Sequence, residues 1–127
     1  MAGHDGSERH PDLSWSATAY VYHVADNLRL WAERVVGALI SGDRRICGYD
    51  PDELARARRY EELSLAGGLW SLRQSAASWV EVLPEALERD LVLEHVSREN
   101  QRAADIAGNN AHDAHHHLWD VERSIEP

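Results

Sequence analysis

Apolar positions recur with helical spacing along three long stretches of the chain. In the first, from about Ala17 to Ile40, Val24, Leu28, Trp31, Val35 and Leu39 follow steps of three and four residues. Ser14 or Ser16 suits the N-cap, and Ser41-Gly42-Asp43 suits the end. In the second, Leu65, Leu69, Leu72, Ala76, Trp79 and Leu83 alternate four- and three-residue steps, a seam for packing against other helices. Ser64 caps it in this reading, Gly67-Gly68 weakens its first turns, and Pro84 predicts a kink or restart, with the end near Leu87. The third runs from about Glu99 to Ser124, with a seam of Ala104, Ala107, Ala111, Ala114, Leu118, Val121 and Ile125.

Between these stretches, Asp50-Pro51-Asp52-Glu53 predicts a short helix to about Tyr60, with an Asp cap, Pro in the first turn and acids at the positive end of the dipole. Residues 89–97 read as a connection, extended around Leu91-Val92-Leu93. No repeat, hairpin or strand alternation stands out, so the predicted class is all-α and bundle-like. Residues 1–14 read as a flexible leader and 15–125 as the helical domain. Three long helices and a short one leave one side of a bundle open. Either the short helix covers that side or a second copy does, and a homodimer is the expectation that follows.

Composition narrows the function classes. The 127 residues suffice for one domain with a modest core. No apolar run approaches the roughly 20 residues of a membrane span. Met1 to Asp12 is polar and carries no signal-peptide pattern. The single cysteine, Cys47, cannot form an internal disulfide, and a cytoplasmic location is expected. The formal charge of −9 argues against nucleic-acid binding. All 13 basic residues are arginine, which excludes lysine chemistry such as a Schiff base. The lysine-free, alanine-rich composition also points to a GC-rich bacterial genome.

Candidate chemistry concentrates in Asn110-Ala111-His112-Asp113-Ala114-His115-His116-His117-Leu118-Trp119-Asp120. On a helix His112 and His116 are i and i+4, so their imidazoles share a side and reach one metal ion. His23, in the first helix, is the third candidate ligand, and the central expectation is one divalent metal on His23, His112 and His116. Asp26, Asp113 and Asp120 are candidates for orienting a ring or a bound water. The same cluster also suits a solvated polar face or a cationic cap at the helix C-terminus. On an ideal wheel, His112 and His116 fall away from the alanine seam and His115 lies nearer its edge. Cys47, near Arg44 and Arg45, has no paired histidine and reads as a stray thiol.

Trp15-Ser16, then Tyr22-His23-Val24-Ala25-Asp26-Asn27, then the late segment His112 to Asp120 resembles the DinB/YfiT-like superfamily from about Trp15 to Asp120. The resemblance implies an up-and-down four-helix bundle with a metal on three histidines. One comes from the helix after a Trp-containing turn and two from a late His-x-x-x-His helix. By position these are His23, His112 and His116, with His115 or His117 a neighbour in the double histidine common in the family. Family members carry a long helix ahead of the Trp-containing turn. Here about fourteen residues stand there, so a bundle without a full N-terminal helix is expected, which strengthens the dimer expectation.

The metal implied is zinc, nickel, iron or manganese. Two reaction classes follow from the resemblance: thiol-dependent transfer or isomerisation with a low-molecular-weight thiol such as mycothiol, related to maleylpyruvate isomerase, and metal-dependent hydrolysis. A small-molecule substrate is the expected partner. A noncatalytic metal-binding or dimeric interaction protein stays open beside the enzyme, and the residues supply no clear general base.

Overall fold

The structure, a computed structural model, describes residues 3–125. Four helices dominate: α1 (Ala17–Ser41), α2 (Pro51–Ala57), α3 (Leu65–Glu88) and α4 (Ala103–Ile125). Three short strands, β1 (Arg45–Ile46), β2 (Val92–His95) and β3 (Gln101–Arg102), and a 3-10 turn at Tyr60–Glu62 complete the chain. The molecule is mostly helical, as the periodicity predicts.

Local signals set most boundaries. The Ser16 hydroxyl accepts from the Ala19 amide at 3.2 Å and starts α1, and Gly42 ends it in the left-handed region at φ 76°. Asp50 caps α2 through the Asp52 amide, with Pro51 next. Ser64 caps α3 through the Gly67 amide at 3.0 Å. The kink or restart expected at Pro84 does not end the helix, and α3 continues to Glu88. Pro84 and Val80, one turn earlier, are both exposed, so the carbonyl that loses its partner lies on the solvent side, where water can bond it.

The strands were not predicted beyond an extended character at residues 91–93. β2 pairs in parallel with β1 (Arg45 opposite Glu94) and antiparallel with β3 (Val92 opposite Arg102). Pieces of two to four residues are too short to display alternation, so periodicity cannot reveal them. Because Gln101 and Arg102 are used in β3, α4 begins at Ala103 and not near Glu99.

Helix α1 is the axis of the fold. It packs along both α3 and α4, which meet each other only sparingly. The main core sets Val24, Leu28, Ala32 and Val35 of α1 against Trp79 and Ala86 of α3, Leu93 of β2 and Ile106 of α4. A second cluster joins Ala17, Tyr20 and Val21 to Leu65 and Val121. Residues ahead of α1 lie against its first turn. The Ala17 amide donates to the Glu8 carbonyl and the Thr18 amide to the Gly6 carbonyl, which supplies acceptors to N–H groups that a helix start leaves free. Gly6 sits at φ 90°, and a Cβ there would lie 1.8 Å from the Thr18 hydroxyl oxygen.

The inward stripe of α4 keeps Ala107, Ala114, Val121 and Ile125 of the alanine seam and leaves out the rest. Ala104 and Ala111 are exposed, and Leu118 is 40 % exposed. The buried positions are Ala103, Ile106, Asn110, Asp120, Val121 and Ser124, with Asp113, Ala114 and His117 half-buried between them. A shift of one residue along a helix is a rotation of about 100°. The helix therefore turns a partly polar face towards α1.

Candidate metal centre between the first and last helices

That rotation decides which side chains meet His23. His23 is buried on α1. Facing it across the helix interface are Asp113 and His117, which are i and i+4 on α4 and so share a side. Asp113 Oδ2 lies 3.6 Å from His23 Nε2, and Asp113 Oδ1 lies 3.2 Å from His117 Nε2. One donor atom from each of the three falls within 4.8 Å of the others. The two imidazoles meet edge to face, with centroids 4.5 Å apart. His23 Nε2 is buried and makes no hydrogen bond among the described residues.

The neighbours hold these rings in place. Tyr20 stacks on His117 at 5.4 Å between centroids, and Trp15 lies 5.3 Å from the His23 ring. His117 Nδ1 is 3.2 Å from Asp120 Oδ2, so the other ring nitrogen, Nε2, faces Asp113 and His23. Asp120 is buried and accepts from the Arg123 guanidinium at 2.5 Å. This carboxylate–imidazole arrangement is the kind that orients metal-ligating histidines.

Electrostatics follow from the same contacts. Burial alone would raise the Asp113 pKa, but His117 and His23 beside it outweigh burial and hold the carboxyl well below the usual range. Burial alone would lower the His117 pKa, but Asp113 and Asp120 outweigh it and raise the imidazole above its ordinary value.

The other sequence candidates lie elsewhere. His112 is exposed and lines a cavity with Asn27 and Trp31, one face away from His23. His116 is exposed, with Nε2 3.7 Å from Asp120, and forms a second potential donor group with His117 and Asp120. The structure thus brings His23 together with Asp113 and His117, while His112 and His116 are exposed and line the neighbouring cavity with Asn27 and Trp31. Asp113 and Asp120 were read as orienting groups and His117 as a neighbour. A signal for their place was present, because Asn110, Asp113, His117, Asp120 and Ser124 repeat at three- and four-residue steps.

Asp26 does not reach the cluster. It is buried where α1 meets the end of α2, accepting from Tyr60 at 2.5 Å, from Arg29 at 2.8 Å and from Arg58. Burial and this carboxylate push the Tyr60 phenol far above its ordinary pKa. Cys47 is exposed, and Arg44 and Arg45 beside it are paired with Glu94 and Asp43.

A cavity of about 350 Å³ opens beside the donors, walled by Ser14, Trp15, Tyr20 and Pro51. His23 and Asp113 also line a cavity of about 220 Å³ with Asn27 and Trp31. No helix among the described residues is long and apolar enough to cross a membrane. Fold and site thus define a helical protein with a histidine–aspartate cluster between two packed helices. Comparison of the chain with known protein families, with curated proteins and with solved structures finds no match in any of the three.

Proposed function

We propose that the chain is a DinB-like divalent-metal protein whose ligands are His23, Asp113 and His117. One observation carries the reading: a buried imidazole nitrogen of His23 without a hydrogen bond, facing a carboxylate and a second imidazole from another helix. An orphaned buried polar atom costs about 1–3 kcal/mol, and a ligated cation removes that cost. Two imidazoles and a carboxylate suit zinc, nickel, iron or manganese. When bound, such an ion supplies open positions that acidify water or a thiol, or polarise a carbonyl.

The chain's own residues do the rest. Asp120, held by Arg123, fixes the His117 ring with Nε2 towards the site. Trp15 and Tyr20 cover the two imidazoles on one side. The 350 Å³ cavity has room for a small molecule and no cysteine on its wall. In this reading the nucleophile is an added molecule: a low-molecular-weight thiol in a transferase or isomerase, or water in a hydrolase.

A noncatalytic reading is favoured by a different observation. Both nitrogens of His117 already face carboxylates, at 3.2 Å each, which suits a protonated imidazolium in a closed polar network. Metal content separates the two readings. Untagged protein loaded with zinc and desalted is expected to retain about one ion per chain. His23→Ala and Asp113→Ala are expected to lose it, and His112→Ala to keep it. Retention by Asp113→Ala with loss in His112→Ala would overturn this ligand set, and no retained zinc in the wild type would favour the polar network.

A further inference from the structure

Beyond the donors, the 220 Å³ cavity adjoins one of about 440 Å³, and both are lined by Asn27, Trp31, Arg98 and Asp113. Together they form a trough along the α1–α4 interface. Its charge is the reverse of the chain's. The protein carries a net −9, yet Asp113 is the one carboxylate on these walls, and it already faces His117. Arg34 and Arg98 line the smaller cavity, and among the described residues neither has a carboxylate partner within ion-pair distance.

Arg34 is held ready. Its guanidinium lies 4.5 Å from the Trp31 ring and 5.9 Å from the Tyr49 ring, and it donates to the Cys47 carbonyl at 2.5 Å. That bond leaves most of a five-donor fork free. The second observation is independent of charge. Asn110 is 4 % exposed, and its Oδ1 accepts from Asn27, whose own oxygen accepts from the Tyr49 hydroxyl. This chain of bonds fixes the Asn110 amide and leaves Nδ2 as a buried donor with no acceptor among the described residues. Two guanidinium groups without a carboxylate partner among the described residues and one orphaned amide donor thus line a single trough.

We propose that this trough binds a small carboxylate-bearing molecule, its anion on Arg34 and Arg98 and its remainder beside Asn110, towards His23. A planar carboxylate matches the guanidinium fork in two parallel bonds. Asp113 on the same wall opposes a doubly charged anion, which favours a carboxylate over a phosphate dianion. The placement of the remainder towards His23 rests on the metal reading, and the anion site does not.

The test is therefore run on metal-free, ¹⁵N-labelled protein, so that failure of the metal reading leaves it readable. Benzoate, its neutral counterpart benzamide, and inorganic phosphate are titrated while the Trp31 indole and Asn110 side-chain amide signals are followed. Benzoate is expected to give saturable shifts at both, benzamide to give none, and phosphate to bind more weakly. Arg98→Gln, at an exposed position, is expected to weaken benzoate about tenfold or more. Three outcomes overturn the proposal: equal shifts with benzamide, tighter binding of phosphate, or unchanged benzoate affinity in Arg98→Gln. Absence of any shift up to about 20 mM benzoate also overturns it.

Discussion

Replacing Asp113 by Asn in the metal-free protein tests the electrostatics of the cluster through the pH dependence of its stability. His117 has a raised pKa in the folded state. Its contribution is fully present below the unfolded value of about 6.5 and is lost as the pH rises through the folded value. Asp113 has a depressed pKa, so its contribution is present above about 3.9 and is lost as the pH falls towards the folded value. The pair is therefore strongest between about pH 4 and 6.5. Its separation is 3.2 Å, with the side chains 20 % and 34 % exposed, so solvent screens part of the attraction. A contribution of about 1 kcal/mol is appropriate for such a pair. For a chain of this size that corresponds to about 3–5 °C in Tm. Thermal unfolding followed by circular dichroism is expected to show Asp113→Asn below wild type by that amount at pH 5.5, with the gap closing by pH 9. A gap that is constant across this range, or wider at pH 9, would refute the pairing.

Added zinc is expected to reverse this trend, because metal competes with the proton on His117. At a zinc concentration of 100 times Kd the gain is about 2.7 kcal/mol, and calorimetric scans should show a larger rise in Tm at pH 8 than at pH 5.5; an equal rise would count against His117 as a ligand. Asp26→Ala leaves Tyr60 without its buried acceptor and frees Arg29 and Arg58, whose side chains are 40 % and 34 % exposed and can turn to water, and denaturant titration should register a loss of about 2–3 kcal/mol; a loss under about 1 kcal/mol would show that the carboxylate is dispensable. Trp70, Val80 and Leu87 on α3 and Trp119 on α4 are exposed, and the homodimer expectation predicts that a second copy covers such residues. Light scattering should then give a mass that rises with concentration, and a concentration-independent monomer mass would end that expectation.

The elements with strong end signals were legible in the sequence. Ser16, Asp50-Pro51 and Ser64 mark three helix starts within a residue, because a capping side chain acts on backbone groups next to it in the chain. The small sheet was not legible, since Arg45–Ile46 finds its partner at Glu94–His95, far along the chain beyond two helices. His23 was legible as one donor of the cluster, while the polar spacing that carries Asp113 and His117 on α4 was outweighed by the alanine seam. Counting alanines as apolar placed the seam on Ala104, Ala111 and Leu118. Alanine buries so little surface that it steers a helix weakly. Ile106, together with the Asn27–Asn110 bond, turns the helix the other way, and of the predicted seam Val121 keeps a buried place. The spacing that suggested His112 with His116 applies equally to Asp113 with His117, and spacing alone does not choose between adjacent faces.

The polar inner face of α4 also bears on how the molecule opens. Alanine, Asn110, Asp120 and Ser124 make up much of what α4 buries, and the helix leans on α1 with little support from α3. Such an element is expected to detach at a lower free energy than the α1–α3 pair, with its amides exchanging with solvent first. The donor groups lie on both sides of that seam. An ion held by the cluster would therefore act as a clasp, coupling its binding to the attachment of the last helix, readable as slowed exchange along residues 103–125.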